Sequence, residues 1–249
     1  MTNSADEIAL TSLLGENHIF QIPLYQRPYQ WKKQRILDLQ RDLLPLADDS
    51  SDTHFMGAII VHEISENFSP TKKYDIIDGQ QRLTSIYLHL VALASVLVEK
   101  QKDPSEAWEL ITRMILRSTG VGKPMILKLQ PSRADREPMN RIIRDLLDKP
   151  AFTDIRMQGG FAVEYPSDSG QKPSGKIEAN FKLARKFFIE EFDQGGEEQL
   201  ANLRRALQFQ LSVVLINVKD KLSGPKIFDS LNAGQQKMTV GDLVRNDVF

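Results

Sequence analysis

The run Tyr74-Asp75-Ile76-Ile77-Asp78-Gly79-Gln80-Gln81-Arg82-Leu83-Thr84-Ser85-Ile86 changes its period halfway. Tyr74 to Ile77 has the length and composition of a short buried strand, and Asp78-Gly79 makes a turn. From Leu83 onward, Ile86, Tyr87, Leu90, Val91, Ala94, Leu97 and Val98 follow the i, i+3, i+4 spacing of a helix. Strand, tight turn and apolar helix in direct succession predict an α/β unit. The first N–H groups of such a helix have no internal partner, and with the helix dipole they favour an anion, phosphate above all. Arg82, in the first turn, can add a bidentate fork to phosphate oxygens. Gln80 and Gln81 can orient a water or a sugar, and Asp78 can hold a divalent cation or orient a water. Asp78 alone reads equally well as a helix cap. Two glutamines and an arginine at the mouth of so apolar a helix are harder to assign to folding. No G-x-x-x-x-G-K-[ST] loop occurs in the chain.

Upstream, Phe55 to Val61 is a continuous apolar run of strand length. Lys32 to Leu44 has helical spacing at Ile36, Leu39, Leu43 and Leu44, with Pro45 as the expected stop. Phe20 to Trp31 is expected to be extended, because Pro23 and Pro28 disfavour helix for the residues before them. In an extended chain Tyr25, Arg27, Tyr29 and Trp31 project to one side. Three rings and a guanidinium there can stack on bases or hold a nucleic-acid backbone. They can equally anchor an N-terminal arm, with Trp31 packed inward and Gln26 and Arg27 exposed. Glu7 to Leu14 reads as a short helix.

Downstream, helices are expected at Ser105–Arg117, Asp135–Leu147, Lys176–Phe192 and Glu197–Gln210, and strands at Met125–Leu129 and Leu211–Val218. Ile227–Leu231 and Thr239–Arg245 read as short helices. Residues 149–175, rich in Gly, Pro, Ser and Asp, are the expected internal boundary. The chain ends at Asn246-Asp247-Val248-Phe249 without a Gly or Pro stop, so a domain cut from a longer protein is expected.

Composition narrows the chemistry. The 249 residues include no cysteine, which excludes a disulfide framework, a thiolate metal site and a cysteine nucleophile. Lys plus Arg (32) nearly balance Asp plus Glu (33), so any nucleic-acid contact must come from a local basic patch. The N-terminus lacks a basic, apolar leader pattern, and Leu83 to Val98 reads as too short and too polar for a membrane span. A cytoplasmic protein without a membrane partner is expected.

The two motifs, in this order, resemble the N-terminal domain of GmrSD-type modification-dependent restriction systems, also found in phosphorothioate-sensing SspE proteins. That family's I-P-x-Y-Q-R-x-Y-x-W segment is matched in full by Ile22 to Trp31, and its D-G-Q-Q-R-L-T run by Asp78 to Thr84. Between them comes a strand with a glycine, here Phe55-Met56-Gly57. A third segment, F-x-x-L-N followed by D-L, matches Phe228, Leu231, Asn232, Asp242 and Leu243. It departs where the family has Gly three residues after the Asn and this chain has Gln235, which weakens Asn232 and Asp242 as site candidates.

The resemblance implies an α/β (α+β) fold: a ParB- and sulfiredoxin-like small mixed-sheet core over residues 1–100 and a mainly helical portion over 101–249, whose strand near 211–218 can return to the core. It implies an NTPase that depends on the D-G-Q-Q-R motif and uses GTP or another NTP with Mg2+, in a system that senses modified DNA of the phosphorothioate or glucosylated hydroxymethylcytosine class. Asp78, Gln80, Gln81 and Arg82 would then be catalytic. Gly79, Arg82, Gln26 and Arg27 would contact phosphate, and Tyr25, Gln26, Arg27, Tyr29 and Trp31 would sense DNA. A homodimer is compatible with this reading. A DNA-backbone or DNA-modification binding module without hydrolysis, and a ParB-like nicking domain, remain as alternatives. Members often carry a His-Asn-His (HNH) nuclease domain. The histidines here are His18, His54, His62 and His89, so that nuclease is expected on a missing C-terminal part or a separate chain.

Other candidates read as ordinary structure. His54 and His62 are too far apart along one strand to share a metal. Ser223 to Lys226 is a helix cap before it is a phosphate site. Lys182, Arg185 and Lys186 form a solvated helix face before a DNA face.

Overall fold

The computed structural model describes residues 4–15, 17–49, 51–65, 71–101, 103–120, 123–153, 163–164 and 175–219. Its elements are β1 (Ser4–Ala9), α1 (Leu10–Gly15), β2 (His18–Gln21), α2 (Lys33–Asp48), β3 (His54–Glu63), β4 (Lys72–Asp78), α3 (Gln80–Lys100), α4 (Ser105–Leu110), β5 (Leu116–Arg117), β6 (Met125–Leu127), β7 (Leu129–Gln130), α5 (Arg136–Leu147), β8 (Val163–Glu164), α6 (Lys176–Arg205) and β9 (Leu211–Asn217). The fold is mixed α/β. A six-stranded sheet runs in the order β1-β9-β3-β4-β2-β7, and a small sheet runs β5-β6-β8.

The six-stranded sheet draws on both halves of the chain. β9 lies between β1, antiparallel to it, and β3, parallel to it. β3 and β4 are antiparallel, whereas β2 runs parallel to both β4 and β7. Ile59, Val61 and Ile76 are fully buried in one core with α3, whose residues Leu83 to Leu97 are nearly all inaccessible. α3 is longer than the sequence suggests. By length and hydropathy it passes as a membrane span, but 89% of its most apolar window is buried inside the protein, as befits a core helix.

Several expectations are corrected. Residues Glu7 to Ala9 are strand, because they pair with Val214, Val213 and Ser212 far along the chain, and only Leu10 onward is helical. Pro45 sits inside α2, which continues to Asp48. A proline removes one backbone donor, but Leu46 and Ala47 beyond it are buried in the core, and that packing carries the helix on. The expected helix Ser105–Arg117 is α4, a π turn at Ile111–Ile115 and strand β5. Met125–Leu129 divides into β6 and β7, which join different sheets. The helices expected at Lys176–Phe192 and Glu197–Gln210 form α6, broken at Gly196 (φ 66°, ψ −152°), followed by a π turn at Ala206–Gln210. The expected helices at 227–231 and 239–245 lie outside the described residues.

Candidate functional site

The turn after β4 shows why residue 79 is glycine. Its φ is 89°, a left-handed conformation. A Cβ there would meet the Ala58 oxygen at 3.1 Å and the Ile59 Cα at 3.2 Å, so the turn lies directly against β3. Gly79 is the N-cap of α3 and supplies no side-chain cap. The first intrahelical bond runs from Leu83 N–H to the Gly79 oxygen at 2.9 Å, which leaves the amides of Gln80, Gln81 and Arg82 ahead of it. Asp78 is the last residue of β4 rather than the cap, and its carboxylate accepts no side-chain hydrogen bond among the described residues.

Arg82 lies partly buried at this helix mouth. Its Nη1 donates to the Ala58 oxygen at 2.6 Å, and it forms no ion pair among the described residues. Burial lowers its pKa; the charge of Asp78 opposes that fall, and the charge of Arg35 adds to it. Arg35, in the first turn of α2, therefore shares the site, although the sequence reading passed it over. α2 also has no side-chain cap and no acid in its first turn. A cation there runs against the helix dipole, and that mismatch at Lys33 and Arg35 was the available signal.

The motif glutamines also reach away from the mouth to a neighbouring loop. Gln81 is buried; its Oε1 accepts the Gln30 N–H at 2.7 Å, and its Nε2 donates to the Pro28 oxygen at 3.2 Å. Gln80 donates to Gln26 Oε1 at 3.0 Å, and Gln26 Nε2 donates to the Ile77 oxygen at 2.8 Å. The two side chains thus fasten the loop of residues 26–30 to the strand-turn-helix.

That loop is not an extended strip, which corrects the expectation of one aromatic face. β2 ends at Gln21, and a turn closes from Gln26 N–H to the Pro23 oxygen at 3.0 Å. Tyr25 is 69% exposed at the tip, whereas Tyr29 is 2% exposed. Trp31 packs against the core, and Arg27 is exposed beside the site. The Tyr29 hydroxyl lies 2.6 Å from Ser85 Oγ and accepts from Asn180 Nδ2 at 3.1 Å. Asn180 also donates to the Trp31 oxygen, and the Tyr29 N–H donates to Asp135 Oδ2 at 2.7 Å. Burial pushes the Tyr29 hydroxyl up to about 12 and raises the Asp135 carboxyl. Asp135 and Asn180 were not readable from sequence, since each meets the loop across more than a hundred residues.

No group of three His, Asp or Glu residues converges among the described residues. Among the described residues Asp78 is the carboxylate beside Arg82, so a divalent cation there would take most of its oxygens from phosphate and water. His54 approaches Asp42, His62 bonds to the Val218 oxygen, and neither belongs to a group of three metal-ligating side chains among the described residues. Arg185 pairs with Glu99 and Lys186 with Glu190, which neutralises much of the basic face of α6. Asn232, Asp242 and the Ser223–Lys226 segment lie outside the described residues.

A family model described as the N-terminal domain of GmrSD restriction endonuclease matches residues 10–249. No curated protein matches the chain.

Proposed function

Because the chain belongs to the GmrSD restriction endonuclease N-terminal domain family and is thus a restriction-system component, we propose that it binds and hydrolyses a nucleoside triphosphate to control the response to modified DNA. One observation carries this reading. Arg82 is a partly buried guanidinium at an uncapped helix N-terminus, with a second arginine nearby and no carboxylate paired to it among the described residues. Such a charge is costly to bury without a counter-ion in direct contact, Asp78 acting on it only at longer range, and the helix mouth offers the same anion its free amides.

In this reading Arg82, the amides of α3 and the outer cations Arg35 and Arg27 hold the phosphate chain. Asp78 either orients the attacking water or holds Mg2+, which would neutralise phosphate charge when bound. Gln80, Gln81 and Gln26 are positioning residues that fix the loop carrying Arg27. Tyr25, exposed at the loop tip, would meet DNA, and a nuclease domain would act on the outcome.

Phosphate release tests this. The chain is incubated with ATP, GTP, CTP or UTP and magnesium, beside Arg82→Ala. Turnover of at least one nucleotide, lost in the variant, is the expected result; no turnover with any nucleotide overturns it. A binding module without hydrolysis is the second reading, and one observation favours it: the Gln80 and Gln81 amides are engaged with the loop, so neither is plainly available to orient a water.

A further inference from the structure

The start of β4 carries a second, separate concentration of positive charge. Lys72 and Lys73 are exposed on its first two residues. Lys72 N–H donates to the Asn17 oxygen at 2.9 Å. Arg117, on β5, reaches over both segments, donating to Asn17 Oδ1 and to Thr71 Oγ1. These partners are neutral, and no carboxylate pairs with Arg117 among the described residues. Beneath it, the buried Lys128 ammonium donates to the Leu14 and Arg113 oxygens. Burial, with the charges of Arg117 and Arg113, pulls Lys128 down to about 8, so three cations sit close enough to repel one another. Among the described residues the paired acid is Glu109, 3.7 Å from exposed Arg113, and an exposed pair of that length adds little.

This cluster is not part of the Asp78–Arg82 site. β4 runs from Lys72 to Asp78, so the two sites lie at opposite ends of the strand, about 20 Å apart at about 3.3 Å per residue. Lys128 serves the fold by satisfying two backbone carbonyls, but folding does not call for four more cations around it, because like charges gathered at one end of a sheet oppose it. A polyanion seated on them removes that repulsion. The spread of the cluster over β4, β5 and the turn before β5 suits a run of successive phosphates better than one.

We propose that Lys72, Lys73, Arg113 and Arg117 form a docking face for the phosphate backbone of duplex DNA. The face rests on the chain's place in a restriction system and not on nucleotide hydrolysis. It reads neither sequence nor modification, since phosphate contacts position a protein on DNA without specifying bases. It leaves modification sensing to the opposite end of the strand. It also moves the DNA contact from α6, whose cations are largely paired, to a surface where, among the described residues, only Arg113 of the four has an acidic partner.

The test is binding of an unmodified duplex across a salt series, with the whole chain and with Lys72→Gln/Lys73→Gln/Arg113→Gln. All three positions are exposed, and melting temperature checks the fold. Each lost phosphate contact lowers the slope of log K against log salt by about 1. The expected result is a slope lower by about 3 in the triple variant. Lys182→Gln/Lys186→Gln is expected to match the wild type, and phosphate release is expected to stay unchanged in both. An unchanged slope in the triple variant overturns the proposal, and so does a wild-type chain that does not bind duplex. A wild type that binds duplex yet hydrolyses nothing leaves this face standing and removes the NTPase reading alone.

Discussion

The guanidinium of Arg82 occupies the space that a side chain at position 57 would need. A Cβ built on Gly57 would lie 3.0 Å from Arg82 Cζ and 3.0 Å from its Nη2. Gly57 also has φ 99°, at a register shift between Phe55 and Ala58 where β3 pairs with β9. The irregularity at Gly57 therefore leaves a slot into which α3 inserts its arginine.

Gly57→Ala is expected to be a defect at both levels. The left-handed backbone conformation costs about 1–2 kcal/mol for a residue with a Cβ, which lowers the melting temperature. The crowding falls on Arg82, so nucleotide binding should drop with it. A control without that crowding separates the two: Gly175→Ala also has positive φ, but nothing lies within 4 Å of its Cβ. Gly175→Ala should cost stability and leave nucleotide affinity intact. Equal nucleotide affinity in both variants would remove the link between Gly57 and Arg82.

Gln81→Ala should loosen the loop rather than abolish chemistry outright. The substitution strands the Gln30 N–H and the Pro28 oxygen, at about 1–3 kcal/mol for the unsatisfied groups. Amide exchange is expected to quicken at residues 26–30, with a rise in KM larger than the fall in kcat. Exchange that stays as slow as in the wild type would show that the loop does not depend on this side chain.

The strand-turn-helix was legible because both of its periods are local: Ile76 and Ile77 end one, and Leu83, Ile86 and Leu90 begin the other. Arg82 was legible for the same reason, as a charge where an apolar helix has no use for one. Residues 7–9 were misread because three residues have no period, and their strand exists through pairing with β9. The loop contacts of the glutamines were illegible for a different reason. Sequence shows that a polar group stands at a helix mouth but not whether it faces outward or turns back to hold a loop fifty residues earlier. Arg35 needed the approach of two helices, which no local pattern encodes.

Acid stability should carry the mark of His89. This ring is fully buried, bonds to the Ser85 oxygen through Nδ1 at 2.7 Å, and is pushed down from 6.5 to about 4 by burial. Between those values the unfolded chain takes up a proton that the folded chain refuses. Stability therefore falls as pH drops from 6.5 to about 4 and levels off below, by at most about 3 kcal/mol. Urea unfolding of His89→Gln, which keeps an amide near Ser85 and does not titrate, should show a shallower loss across that window. An equally steep loss in the variant would place the acid sensitivity elsewhere.

Arg35→Gln distinguishes a shared phosphate site from a structural Arg82. Arg35 is exposed and its side chain makes no ion pair among the described residues, so its removal costs the fold little. Without a ligand, removing a like charge near Arg82 should leave stability unchanged or slightly raised, since it relieves repulsion. With a triphosphate bound, the same charge becomes an attraction, and its loss should weaken binding by several-fold and reduce the salt dependence of nucleotide affinity. Arg82→Ala should do far more, because its guanidinium is the partly buried one and an interaction shielded from water is screened less. The opposite signs are the point of the measurement. A variant that melts slightly higher yet binds nucleotide more weakly identifies Arg35 as a group held against stability for an anion. One that melts lower with nucleotide affinity untouched would make it an ordinary surface arginine and return the whole burden of the site to Arg82.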